Sequence, residues 1–103
     1  MKIPATFWLT TVLALSALRS VAGPIEDARK AFLAGDYNAT IFHAKVVAKT
    51  TPRDEEAHEL HIRALLTTGQ YTNALAVTTN TVAKLSGSFR LRWIAHEVYN
   101  FNN

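Results

Sequence analysis

Two short turns, Gly35-Asp36-Tyr37 and Gly69-Gln70-Tyr71, stand 34 residues apart and constrain this chain more than any other feature. A glycine followed by a polar residue and an aromatic one punctuates a helical pattern. Glycine accepts the left-handed backbone that ends a helix, and the next helix can start at once. A third turn at the same stride falls at Asn102-Asn103, and Asn also tolerates left-handed geometry. The chain therefore reads as a helix–turn–helix unit repeated at a fixed spacing.

The segments between the turns agree with this reading. Helix is expected over Ile25–Ala34, with Pro24 at the first helical position, Glu26 and Asp27 at the positive end of the dipole, and Gly35 as its stop. A second helix is expected over Tyr37–Lys49, capped by Asp36, with Ile41, Ala44, Val47 and Ala48 as its buried stripe. A third is expected over Pro52–Thr68. Thr51 is read as its cap, and Ala57, Leu60, Ala64 and Leu65 as its apolar face.

A fourth helix is expected over Tyr71–Leu85. Its stretch Thr78-Thr79-Asn80-Thr81-Val82 has poor helix propensity and taken alone would favour a strand. Ala74, Leu75, Val77, Thr78 and Val82 nonetheless fit one packed helical face. A fifth helix, Phe89–Phe101, follows Ser86-Gly87-Ser88 with a serine cap, and carries Leu91, Ile94, Ala95 and Val98 on one side. Turns this short make neighbouring helices antiparallel, so the fold class is all-α, built from stacked hairpins that must bury their stripes against one another.

Residues 1–22 read differently. Lys2 precedes an apolar run from Phe7 to Leu18, and Arg19-Ser20-Val21-Ala22 places small residues where a signal peptidase needs them. The run is short for a membrane span. The expectation is a cleaved export signal, leaving residues 23–103 as the working domain in the periplasm or outside the cell. The alternatives are a buried N-terminal helix, or an uncleaved anchor held at the interface by Arg19.

Charge and composition exclude several functions. The formal charge of +3 includes Lys2 and Arg19. Without them nine basic residues face eight acidic ones, dispersed along the chain, which gives no footprint for nucleic acid or for an anionic membrane. The chain has no cysteine, which removes disulfides, thiol catalysis, Cys-type zinc sites and a lipid-anchored N-terminus. His58-Glu59-Leu60-His61 looks like part of a zinc-protease motif, but Ile62 stands where the second ligand belongs. His43 and His96 are remote in sequence. No nucleophile turn, phosphate loop or defensible carboxylate pair is present, so neither an enzyme nor a cofactor is expected.

The period and turns resemble the tetratricopeptide repeat (TPR). The family's inter-helix turn is similar to Gly35-Asp36-Tyr37 and Gly69-Gln70-Tyr71. Its small residue three positions after the tyrosine is matched by Ala74, with Thr40 at that place in the first unit. Its late proline is matched by Pro52, with Ser86 in the second unit. The family's Trp and Leu-Gly are replaced by His58 and His61-Ile62. Arg29/Arg63 is a further identity at the 34-residue offset. The resemblance covers about residues 24–103; an unrelated helical bundle is the alternative.

The resemblance implies two repeats plus one extra helix, with the first helices lining a groove that holds a partner's peptide or helix. On that pattern Arg29, Glu59, Arg63, Trp93, Glu97 and Phe101 face the groove. An arginine offers a bidentate fork for carboxylates, and a tryptophan an apolar anchor. The alternative for the charges is a solvated helix face, and for Trp93 and Phe101 a packing role. The expected role is an exported adaptor that binds protein or peptide; the alternative is the accessory front end of a larger exported enzyme. The last helix would have nothing after it and would turn Trp93, Ile94, Val98 and Tyr99 outward, which points to continuation of the repeats or to self-association there.

Overall fold

The computed structural model describes residues 23–103, so the export signal expected over residues 1–22 lies outside the described residues. Five helices follow one another: α1 (Gly23–Leu33), α2 (Tyr37–Thr50), α3 (Glu55–Thr67), α4 (Tyr71–Lys84) and α5 (Phe89–Phe101). No strand occurs among the described residues, and the fold is all-α.

The two glycine turns share one geometry. Gly35 and Gly69 have φ of 79° and 76° and are the two positive-φ residues among those described. In the first turn Asp36 N–H reaches back to Ala31 O (2.9 Å) and Gly35 N–H to Phe32 O (3.1 Å). In the second, Gln70 N–H bonds Leu65 O (2.8 Å) and Gly69 N–H bonds Leu66 O (3.1 Å). This pair of bonds satisfies the last free carbonyls of a helix and reverses the chain. The two turns differ at the following cap. The Asp36 carboxylate accepts from Ala39 N–H at 3.2 Å. Gln70, with a longer side chain, makes no such bond.

Helix α3 starts later than Pro52. Thr51 ends α2 instead, its N–H bonding Val47 O at 2.7 Å, and Pro52-Arg53 form a turn. The cap of α3 is Asp54, extended at φ −73° and ψ 101°, whose carboxylate accepts from Ala57 N–H at 3.1 Å. The physical reason is steric and electrostatic together. A residue before proline avoids the helical region, and a charged oxygen three residues before Ala57 is a stronger acceptor than a threonine hydroxyl further back. The third turn also departs from expectation. Asn102 is right-handed (φ −100°), and its side-chain amide does the tying instead, donating to Val98 O (2.9 Å) and Tyr71 O (3.1 Å).

The threonine-rich stretch is helical because of what it packs against. Thr78 and Thr81 are buried, and the Thr81 hydroxyl returns to Val77 O at 2.7 Å. Thr40 likewise occupies the site of a small residue: it is fully buried and its hydroxyl donates to Asp36 O at 2.8 Å. Ala74, its counterpart 34 residues on, is buried too.

Each helix packs on the next in sequence, and α3 also packs on both α1 and α5. Two long-range bonds fix directions. The end of α5 reaches the start of α4 through Asn102 and Tyr71, so that pair is antiparallel. The Ser88 hydroxyl donates to Glu55, so α3 and α5 begin side by side. The core sits between α3, α4 and α5, built from Ile62, Leu65, Ala74, Leu91, Ile94 and Val98. A fully buried Ile, Leu or Val contributes about 1.5–3 kcal/mol. The expectation that Ile94 and Val98 face outward is corrected here. Both are wholly buried, because α5 closes against α3 as well as α4 and spends its apolar stripe there. Trp93 and Tyr99 do face solvent.

Candidate functional site

The six residues singled out above fall on three helices that touch, α1, α3 and α5. Their charges are already engaged, Arg63 with Glu59 and Glu97, and Arg29 with two carboxylates outside the six. Arg29 grips Glu56 of α3 with both prongs of its fork, Nε to Oε2 and Nη2 to Oε1, each at 2.6 Å, and also pairs with Glu26. That bonding raises the pKa of Arg29 above its usual value and lowers that of Glu56; for each, the hydrogen bond to the other is the largest cause. Arg63 lies 3.3 Å from Glu59 and 3.8 Å from Glu97, and Arg90 lies 3.4 Å from Glu59. The result is a band of alternating sign across the three helices. All these groups are partly solvated, so solvent screening keeps the contribution of each pair to stability small. The guanidinium forks are thus not idle: Arg29 and Arg63 already face carboxylates of the chain itself.

Aromatic and apolar groups frame this band. Phe32, Arg63, Leu66, Thr67, Glu97 and Phe101 line one recess where α1, α3 and α5 meet. Phe101 is 55% exposed and stacks on Tyr71, with ring centroids 5.1 Å apart and planes at 9°. Tyr37, the counterpart of Tyr71, instead meets Phe32 edge-on at 5.7 Å. The difference follows from sequence: the ring that Tyr71 stacks on belongs to α5, and Thr67 stands one 34-residue stride before it.

Along α5 a second surface opens. Phe89 and Trp93, one helical turn apart, are 82% and 66% exposed and form a shallow pocket with Arg92, His96 and Glu97. Phe89 was not among the expected contact residues. Its signal was present in the sequence as an i, i+4 aromatic pair beside the cap, on the side of the helix away from Leu91 and Ile94.

A third surface was not anticipated at all. Between α2 and α4, with α3 set behind them, runs a trough walled by Ile41, Phe42, Val46 and Val77. His61 lies half-buried on its floor. Burial first, then the charges of Lys45 and His58, push its pKa down to about 4, so it is neutral at pH 7. His58 bonds Pro52 O at 2.7 Å. The two histidines therefore lie together without a third ligand: among the described residues no group of three or more His, Cys, Asp or Glu is placed to hold a metal. The legible sign of the trough was Phe42, Lys45, Val46 and Lys49, an i, i+3, i+4, i+7 stripe on the side of α2 away from Ala44.

No described helix is long and apolar enough to cross a membrane. Scans of the chain against protein-family models, curated proteins and solved structures returned no match.

Proposed function

We propose that residues 23–103 are a TPR-like stack of two helical hairpins and one further helix, and that the protein is an exported adaptor that binds a peptide or helix of another protein. Support for the stacking comes from three features. The left-handed glycine turns recur at one stride. The small-residue sites Thr40 and Ala74 are buried at that same stride. Helices two apart, α1 with α3 and α3 with α5, lie in contact.

The observation that carries the binding role is the aromatic surface of α5. Phe89 at 82% and Trp93 at 66% exposure adjoin the recess edged by Phe101. Isolated exposed apolar residues need no explanation, but a run of large rings beside partly solvated charges is the composition of an interface anchor. On this reading Trp93, Phe89 and Phe101 supply most of the affinity. The band of Arg29, Glu59, Arg63 and Glu97 sets register and rejects wrong partners, since exchanging one ion pair for another gains little net energy. Self-association through the same face is the competing use of it.

A peptide library displayed on phage and panned on the full-length chain tests this reading. The expected outcome is an enriched consensus whose affinity falls at least tenfold with Trp93→Ala. Failure to enrich any sequence, or binding indifferent to both Trp93→Ala and Phe101→Ala, would rule the reading out. Light scattering of the full chain reads the competing use: a mass of two chains that returns to one with Phe89→Ser and Trp93→Ser assigns the face to a second copy.

A further inference from the structure

The trough between α2 and α4 has a chemistry unlike the rest of the molecule. Its walls are apolar: Phe42 is 64% exposed and Val46, one turn on, is 40% exposed, with Ile41 and Val77 beside them. Its charged groups are all of one sign. Lys45 and Lys49 rise from α2 and Lys84 from α4, and no aspartate or glutamate is among the residues that line it. The other recesses mix both signs, Arg92 with Glu97 along α5 and Arg63 with Glu97 beside Phe101. Arg29, Arg63 and Arg90 make salt bridges, whereas Lys45, Lys49 and Lys84, like Lys30, Arg53 and Arg92, make none within the described residues.

Geometry separates this surface from the one on α5. On α3 the trough is floored by His58 and His61, while Glu56, Glu59 and Arg63 belong to the ion band. By helical periodicity these two sets project from opposite sides of the helix. The trough is also elongated. α2 and α4 have 14 residues each, about 21 Å of helix at 1.5 Å per residue, and the lining runs from Asn38 and Asn73 near their starts to Lys49 and Lys84 in their last turns. Lys49 and Lys84 also complement the carbonyl ends of their helices. Lys45 sits mid-helix and has no such role, yet its ammonium lies close enough to help depress the pKa of His61.

We propose that this trough is a second protein-docking site, and that its occupant is an acidic amphipathic helix of about four turns. The apolar stripe of such a helix would cover Phe42, Val46 and Val77, and carboxylates along both its edges would meet Lys45 and Lys49 on one wall and Lys84 on the other. A flat anionic membrane is a poorer fit, because Val77 and His61 lie between two helix walls where a planar surface does not reach. The site is distinct from the α5 surface and does not rest on it.

The test uses the full-length chain and a designed probe: a fluorescein-labelled 15-residue helix with Leu at i, i+3, i+4 and i+7 and Glu on both flanks. A second peptide carries Lys in place of every Glu. Fluorescence anisotropy should show saturable binding of the acidic peptide, no binding of the basic one, and weakening as salt shortens the screening length below about 10 Å. Lys45→Glu should weaken binding by about tenfold, and Lys84→Glu similarly. Lys30→Glu on α1 makes the same change in net charge and should leave binding within about twofold, because its effect is only long-range and screened. Phe42→Ser, a surface change, should also weaken it. The proposal is overturned if the acidic peptide does not bind, if Lys30→Glu and Lys45→Glu act alike, or if vesicles of phosphatidylglycerol bind through Lys45 and Lys84 while the peptide does not. Because none of these variants touches α5, loss here with intact library binding at Trp93 separates the two sites.

Discussion

Replacing Gly35 or Gly69 with alanine isolates the cost of one backbone conformation. A Cβ built at either position meets no heavy atom within 4 Å, so no clash enters. What remains is the left-handed φ of 79° or 76°, which costs an L-residue about 1–2 kcal/mol. Alanine also narrows the unfolded ensemble, which returns about 0.4–1 kcal/mol. The expected net loss is about 1 kcal/mol at each turn. Gly87 is the internal reference. It too has open space, but it is absent from the positive-φ residues, so Gly87→Ala should be neutral or stabilising by about 0.5 kcal/mol. Gly35→Asn and Gly69→Asn should recover part of the loss, because Asn visits this region at lower cost. Urea unfolding of the full chain followed by circular dichroism reads all five variants, and about 1 kcal/mol corresponds to a fall in Tm of roughly 4–8 °C for a domain this small. If Gly87→Ala costs as much as the other two, or if either turn accepts alanine without loss, the left-handed turns do not hold the hairpins.

Other consequences follow from single groups. The Thr78 hydroxyl is buried with no hydrogen-bond partner, so Thr78→Val, which keeps the shape, should stabilise the chain by about 1 kcal/mol in the same urea assay. Ser88 caps α5, accepting from Leu91 N–H at 3.1 Å, and also holds Glu55; Ser88→Ala should cost about 1–2 kcal/mol, and Glu55→Gln clearly less. His61 has a folded pKa of about 4 against 6.5 unfolded, so below pH 6.5 the unfolded chain takes up the proton first. Its contribution is therefore complete above pH 6.5 and is lost as pH falls towards 4, by up to about 3 kcal/mol before its partial exposure is discounted. His61→Gln should flatten stability over that window, while Glu56, whose pKa is lowered, acts below its usual 4.5. A His61→Gln profile identical to that of the parent would refute this.

The elements were legible wherever a local signal decided them. Gly35, Gly69, Asp36 and Ser88 mark helix ends through bonds made within six residues, and the stripe Leu91, Ile94, Ala95 and Val98 names the face of α5 that is buried. Where two local signals compete, the helix boundary moves. Thr51-Pro52 looked like the start of α3, but Asp54 offered the better acceptor. The threonines of α4 required tertiary packing to stay helical, and only their spacing hinted at it. Spacing along one helix leaves Ile94 and Val98 without a partner, because the contact of α5 with α3 that buries them depends on how helices stack. The same limit applies to the pairing of Arg29 with Glu56 and to the trough left between α2 and α4. The six expected contact residues do lie on adjoining helices, while the sequence signs of the Phe89 ring and of the lysine-lined trough, an i, i+4 pair and an i, i+3, i+4, i+7 stripe, do not state by themselves which face the stacking leaves open.

Photo-crosslinking from position 93 tests the adaptor role most directly. With benzoylphenylalanine in place of Trp93, the full chain is irradiated in the cells that produce it and the adducts are identified by mass. One discrete protein adduct outside the cytoplasm is expected, lost with Phe89→Ser but retained with Phe42→Ser. A diffuse smear indifferent to Phe89, or an adduct equally lost with Phe42→Ser, would contradict it.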